Sequence, residues 1–88
     1  MGASLISGMQ SVDNGYSGVP TRSAACMKHF IGYSDPYNGH DRSPVMLPDR
    51  ILREIYIPPF QAAVEAGVLS AMESYQEVGG VPMVLLNI

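Results

Sequence analysis

Two short apolar runs, each closed by a polar pair, bracket a helical segment, and that order limits the fold more than any other feature of the chain. Arg22–Phe30 is mostly small and apolar as far as Lys28, so it reads as a buried strand with Lys28-His29 at its end. Val68–Tyr75 reads as a second strand, ending in Ser74-Tyr75. Between them Pro48-Asp49 opens a helix, because a first turn tolerates proline and an early carboxylate suits the positive end of the helix dipole. Leu52, Ile55 and Tyr56 give this helix an apolar stripe. Pro58-Pro59 is expected to break it, since each proline lacks an amide donor and clashes one turn back. Pro59 then starts a second helix through Phe60, Ala63 and Val64, which Gly67 caps. A strand, a helical crossover and another strand make a right-handed unit whose two strands run parallel.

The flanking segments are simpler. Met1–Gln10 reads as a short helix with Leu5, Ile6 and Met9 on a narrow apolar face, followed by a turn-rich loop, Ser11–Thr21. Ile31–Leu47 is a loop of 17 residues punctuated by Gly32, Pro36, Gly39 and Pro44. Loops of that length in compact domains are often functional. Gly79-Gly80 forces a turn near the end. A parallel strand pair needs cover on both faces, and an eight-stranded α/β barrel takes about 250 residues. The expected class is therefore α/β: a partial (β/α)8 TIM-barrel fragment, one parallel strand-helix-strand unit with a preceding helix.

Composition excludes several functions. Five basic residues scattered along a chain of net charge −3 make no patch for nucleic acid. The longest apolar run is far short of a bilayer span, and the first residues lack the basic start and apolar core of a secretion signal. Cys26 is the single cysteine, which excludes an intrachain disulfide, and its apolar setting predicts a small buried side chain. No phosphate loop, dinucleotide fingerprint or HExxH motif is present, so no cofactor is expected. His29, His40, Asp35 and Asp41 match no metal-ligand spacing.

In α/β barrels, ligand contacts come from the carboxyl ends of the strands and the loops that follow. Lys28-His29 and Ser74-Tyr75 therefore belong at the same mouth. Lys28 offers three donors, while His29 can donate and accept, a mixture that suits sugar hydroxyls. The same residues also suit a solvated lysine and a packed histidine at a strand end. Tyr75 is open to two readings as well, a core aromatic or a phenol that hydrogen-bonds in a pocket. If both Lys28 and His29 serve one pocket, regular strand geometry must end at or just before Lys28, because neighbouring strand residues point to opposite faces.

Taken in order, ACMKHFIGYSDPYNGHDRSP (Ala25–Pro44), LREIYIPPFQAAVEAG (Leu52–Gly67) and AMESYQEVGGVP (Ala71–Pro82) resemble one stretch of the N-terminal barrel of glycoside hydrolase family 3, the β-glucosidase group. The resemblance marks residues 1–88 as a fragment of that domain. It implies that Lys28 and His29 contact the glycone hydroxyls and that Tyr75 stands beside the catalytic carboxylate. Met72 lies in the same motif, and the substrate implied is a β-linked glucoside or oligosaccharide. In the segment Asn38–Pro44, an Asp41–Arg42 ion pair could fix the loop, or His40 and Tyr37 could meet a second sugar.

Retaining glycosidases use two carboxylates about 5–5.5 Å apart. By the resemblance, the nucleophile comes from a later strand in a Ser-Asp-Trp type motif and the acid/base from beyond the barrel. Neither segment occurs in these 88 residues, which contain no tryptophan. The expectation is a hydrolase fragment with binding residues but no catalytic pair, Glu73 serving as a supporting carboxylate or a loop charge. The alternative is a non-catalytic carbohydrate- or partner-binding remnant. Members of the family are often extracellular, periplasmic or lysosomal, and the sequence does not choose among these.

Overall fold

The computed structural model of the chain describes residues 1–11, 23–33 and 35–85. The expected loop from residue 12 to Thr21, and the expected strand start at Arg22, lie outside the described residues. Helix α1 (Gly2–Gln10) is followed by strand β1 (Cys26–Phe30), and helix α2 (Asp49–Ile51) leads through a π-helical stretch (Leu52–Tyr56) into α3 (Ile57–Glu65). Strand β2 (Ser70–Glu73) comes next, then a hairpin of β3 (Glu77–Val78) and β4 (Val81–Pro82), and a 3-10 turn at Met83–Leu85. Strands β1 and β2 are parallel, as a helical crossover requires, and both are shorter than their apolar runs.

The prolines do not break the helix. Pro58 and Pro59 have no amide to give to the carbonyls one turn back, and the chain meets this by widening upstream of them. Ile57 N–H donates to Leu52 O, five residues earlier, so the prolines fall in the first turn of α3, where missing donors cost least. At the other end, Val68 N–H reaches Ala63 O (3.1 Å) and Gly67 N–H reaches Val64 O (2.9 Å). With Gly67 at φ +81°, this pair of bonds is a Schellman stop.

Two apolar clusters hold the unit. Ile6, Ala25 and Ala63 pack with Met27 and Val68, joining α1, α3 and one face of the sheet. Ile31, Val45, Leu52, Val78 and Met83 form the other, with Phe30 and Phe60 meeting edge to face at 5.1 Å. The helical stripe is narrower than its sequence implies. Leu52 and Ala63 are buried, whereas Leu5, Ile55 and Val64 stand exposed. Cys26 is exposed too, because alternation along β1 turns it away from Ala25 and Met27, which take the helix-covered face.

A single side chain ties α1 to the sheet. Gln10 Oε1 accepts Ala25 N–H (3.0 Å) and Leu69 N–H (3.3 Å), while its Nε2 donates to Gly67 O (2.8 Å). One amide thus satisfies backbone groups leading into both parallel strands. The long loop is also anchored. Val45 forms a parallel bridge with Val78, through Val45 N–H to Glu77 O and Gly79 N–H to Val45 O, both 2.9 Å. Gly79 and Gly80, at φ +59° and +84°, make the two-residue turn between β3 and β4. The turn was legible in the sequence, but strands of two residues carry no alternation to reveal them.

Candidate functional site

The register of β1 on β2 is interrupted where the polar pair lies. Met27 pairs with Ala71 and Phe30 with Glu73, so Lys28 and His29 together oppose the single residue Met72. Two residues against one is a β-bulge, which bends the strand and re-aims its side chains. Strand pairing continues through Phe30, so the strand does not end at Lys28, but its regularity does. The Lys28–His29 and Phe30–Ile31 peptides are cis.

Because the strands are parallel, Lys28, His29, Met72 and Tyr75 all lie toward their carboxyl ends, where Ser74 N–H donates to Phe30 O at 2.7 Å. Tyr75 follows β2 and is 66% exposed; Lys28 is exposed and His29 half-buried. The four do not share one cavity. A cleft of about 300 Å³ is bordered by Tyr33, Asp41, Ser43 and Gln76, and a neighbouring one of about 320 Å³ by Arg42, Tyr75 and Glu77. Lys28 borders a separate groove toward α1 and α3, with Leu5 and Phe60. Two strands of a barrel cover only an arc of its mouth.

A chain of contacts nevertheless links His29 to Tyr75. The His29 and Tyr33 rings lie 4.8 Å apart, and the Tyr33 hydroxyl donates to Asp41 Oδ1 at 2.6 Å. Arg42 Nε is 3.7 Å from Asp41 Oδ2, and the Arg42 guanidinium lies 5.4 Å from the Tyr75 ring centre. The hydrogen bond to Asp41, and then the charge of its carboxylate, hold the Tyr33 pKa above the usual tyrosine range; Arg42 pulls weakly the other way. Arg42 occupies the left-handed region at φ +62°, which costs a side-chain-bearing residue roughly 1–3 kcal/mol.

The Asp41–Arg42 pair is present but solvent-exposed, and such pairs contribute little to stability. The loop is fixed more by its own backbone, through Tyr37 N–H to Pro44 O (2.9 Å), Ser43 N–H to His40 O (3.2 Å) and His40 N–H to Asn38 Oδ1 (3.0 Å). Tyr37 and His40 are exposed on it. Glu73 is exposed and paired in the strand with Phe30. Among the described residues, no three His, Cys, Asp or Glu side chains gather as metal ligands, and no helix is long and apolar enough to cross a membrane.

Two residues carry more than their sequence context suggests. Gln76 is buried, donates from Nε2 to Ile31 O (3.2 Å) and accepts from the Ser74 hydroxyl. Its backbone carbonyl also accepts Met83 N–H. A polar residue beside the strand-end tyrosine was the only available signal. Tyr33 had none, since its partner Asp41 lies across a stretch broken by Pro36 and Gly39.

Residues 1–87 match the model of the glycosyl hydrolase family 3 N terminal domain. The chain is 42% identical over 86 residues to a lysosomal beta glucosidase of Dictyostelium discoideum, covering 94% of this chain and 10% of that protein. It is 48% identical over 59 residues to a beta-xylosidase of Formosa agariphila, covering 66% of this chain and 8% of that one. In structure it resembles an exo-1,3/1,4-beta-glucanase from a Pseudoalteromonas species, with a TM-score of 0.77 at 26% identity over 93% of this chain and 10% of that one. The chain thus spans about a tenth of the length of these proteins. The likeness agrees with a partial α/β barrel.

Proposed function

This chain belongs to glycoside hydrolase family 3, and from that premise we propose that it supplies one arc of the glycone-binding mouth of a β-glucosidase-like, retaining hydrolase. The observation that carries the reading is the bulge that sets Lys28 and His29 against Met72 at the carboxyl ends of two parallel strands. A regular strand would send neighbouring side chains to opposite faces; the extra residue frees the pair from that alternation.

The roles follow from the donors available. The Lys28 ammonium donates to sugar hydroxyls, and His29 donates to one and accepts from another. Tyr75 lines the pocket with its ring and offers its hydroxyl to a carboxylate or the sugar. Met72 fills the apolar floor between the strands. These groups bind and orient the glycone, while the nucleophile and acid/base come from other parts of the intact enzyme. Sugar bound through charge-assisted hydrogen bonds is held in the geometry that chemistry needs.

The test uses the protein expressed from its complete reading frame and an aryl β-glucoside. Replacing Lys28 by Met removes a charged donor at nearly constant volume and should lower kcat/KM on the order of a hundredfold. His29→Ala should cost a similar factor. Values within twofold of the parent for both variants would overturn this assignment.

A further inference from the structure

The segment after β1 does more than connect it to α2. Its Asp41-Arg42 dipeptide touches the neighbours of both strand ends at once: Asp41 accepts the Tyr33 hydroxyl, whose ring lies against His29, and Arg42 reaches over the ring of Tyr75. Nothing in the β1–β2 ladder itself holds Tyr75, which lies beyond the last paired residue and is two-thirds exposed. Its ring could swing freely about the strand end. The guanidinium, 5.4 Å from the ring centre, is within cation–π range, and the contact becomes stronger as water is excluded from the mouth.

The backbone at Arg42 argues in the same direction. At φ +62° glycine would be the unstrained choice, and the chain does place glycine at Gly32, Gly39, Gly67, Gly79 and Gly80, its other described residues with positive φ. Only here, among the described residues, does a long charged side chain hold such a conformation. Folding alone gives no reason for it, because the Arg42 side chain is exposed and its ion pair with Asp41 spans 3.7 Å. Its contact with a candidate site residue does.

We infer that Arg42 is a positioning residue for the glycoside reaction, with Asp41-Arg42 bridging the two strand ends so that Tyr75 and His29 keep a fixed separation. This rests on the glycone-mouth reading above. Asp41 anchors the bridge on the β1 side through Tyr33, and Arg42 anchors it on the β2 side. The bridge requires no contact with substrate. It acts by restricting the Tyr75 ring, so its loss should appear in turnover more than in folding.

The discriminating variant is Arg42→Gly, which removes the guanidinium while relaxing the backbone. In the protein expressed from its complete reading frame, its melting temperature should equal or exceed that of the parent. Its kcat/KM on an aryl β-glucoside should nevertheless fall on the order of fivefold, mainly through kcat. Arg42→Lys keeps a cation near the ring and should recover much of the loss. In a Tyr75→Leu background, Arg42→Gly should have little further effect, since the group it positions is gone. A kcat/KM for Arg42→Gly within a factor of 1.5 or so of the parent, with Lys28→Met strongly impaired, would overturn the positioning role and leave the glycone reading standing. If Lys28→Met is also unimpaired, both fall together.

Discussion

The hydroxyl of Tyr33 donates a 2.6 Å hydrogen bond to Asp41 Oδ1 across the start of the long loop. Ionising the phenol would remove that donor and set two negative charges face to face, so the folded state holds the Tyr33 pKa above its ordinary value of about 10. The sign for stability follows. A group whose pKa is raised on folding favours the native state below its unfolded pKa, and that contribution fades as pH climbs through the folded value. Phenolate absorbance during an alkaline titration should therefore show a late-titrating tyrosine in the parent. Asp41→Asn should move that component down, and Tyr33→Phe should delete it. An unshifted profile in Asp41→Asn would mean that the bond does not persist in solution.

Gly32 should tolerate no side chain. It follows the buried Ile31 at φ +88°, and a Cβ there would lie 3.1 Å from Val78 Cγ2 and 3.3 Å from Leu47 Cδ1. Gly32→Ala combines an unfavourable backbone with crowding in the second apolar cluster. The expected loss is about 1–3 kcal/mol in urea denaturation. Gly39→Ala has a similar φ but no neighbour within 4 Å, so it should cost less and serves as the control.

Gln76 should be among the most sensitive polar positions. Gln76→Leu keeps the volume but leaves the Ile31 carbonyl and the Ser74 hydroxyl without this partner in a buried setting. Denaturation should show a loss of about 1–3 kcal/mol. Gln76→Glu should be worse at neutral pH and partly recover as pH falls, because protonation restores a donor and removes a buried charge. Equal stability of Gln76→Leu and parent would show that neither bond contributes.

The 88-residue chain by itself should not hydrolyse an aryl β-glucoside above background. Retaining chemistry needs a nucleophile and an acid/base about 5–5.5 Å apart. Of the carboxylates near this mouth, Asp41 is engaged by Tyr33 and Arg42, Glu73 belongs to β2 and Glu77 to β3. Turnover by purified chain that disappears in Glu73→Gln would promote Glu73 to a catalytic role and undo this assignment.

The parallel pair, its crossover and the Gly67 stop were legible because each rests on local chemistry that a short window contains. The motif singles out Lys28, His29, Met72 and Tyr75 as candidates, and the demand that Lys28 and His29 share a side anticipated the irregular register between Met27 and Phe30. The helix through Pro58-Pro59 was not foreseen, because the rule that proline stops helices assumes bonds four residues apart and Leu52–Tyr56 adopts a wider spacing. The apolarity of its neighbours points Cys26 to the core, although alternation turns it outward. The Tyr33–Asp41–Arg42–Tyr75 links depend on how the long loop folds back, which no periodicity encodes.

The two-against-one pairing at Lys28-His29 also sets the phase of everything after it. Met27 faces the helical layer, so strict alternation would turn Phe30 away from that layer. The additional residue restores the parity, and Phe30 meets Phe60 edge-on. Deleting either member of the pair would therefore do more than subtract one polar side chain. It would rotate Phe30 out of the interior and force the buried Ile31 to follow, so a single-residue gap at this point is a lesion of the core. A substitution at Lys28 or His29 keeps that phase, whereas a change of length there obliges the strand to be rebuilt.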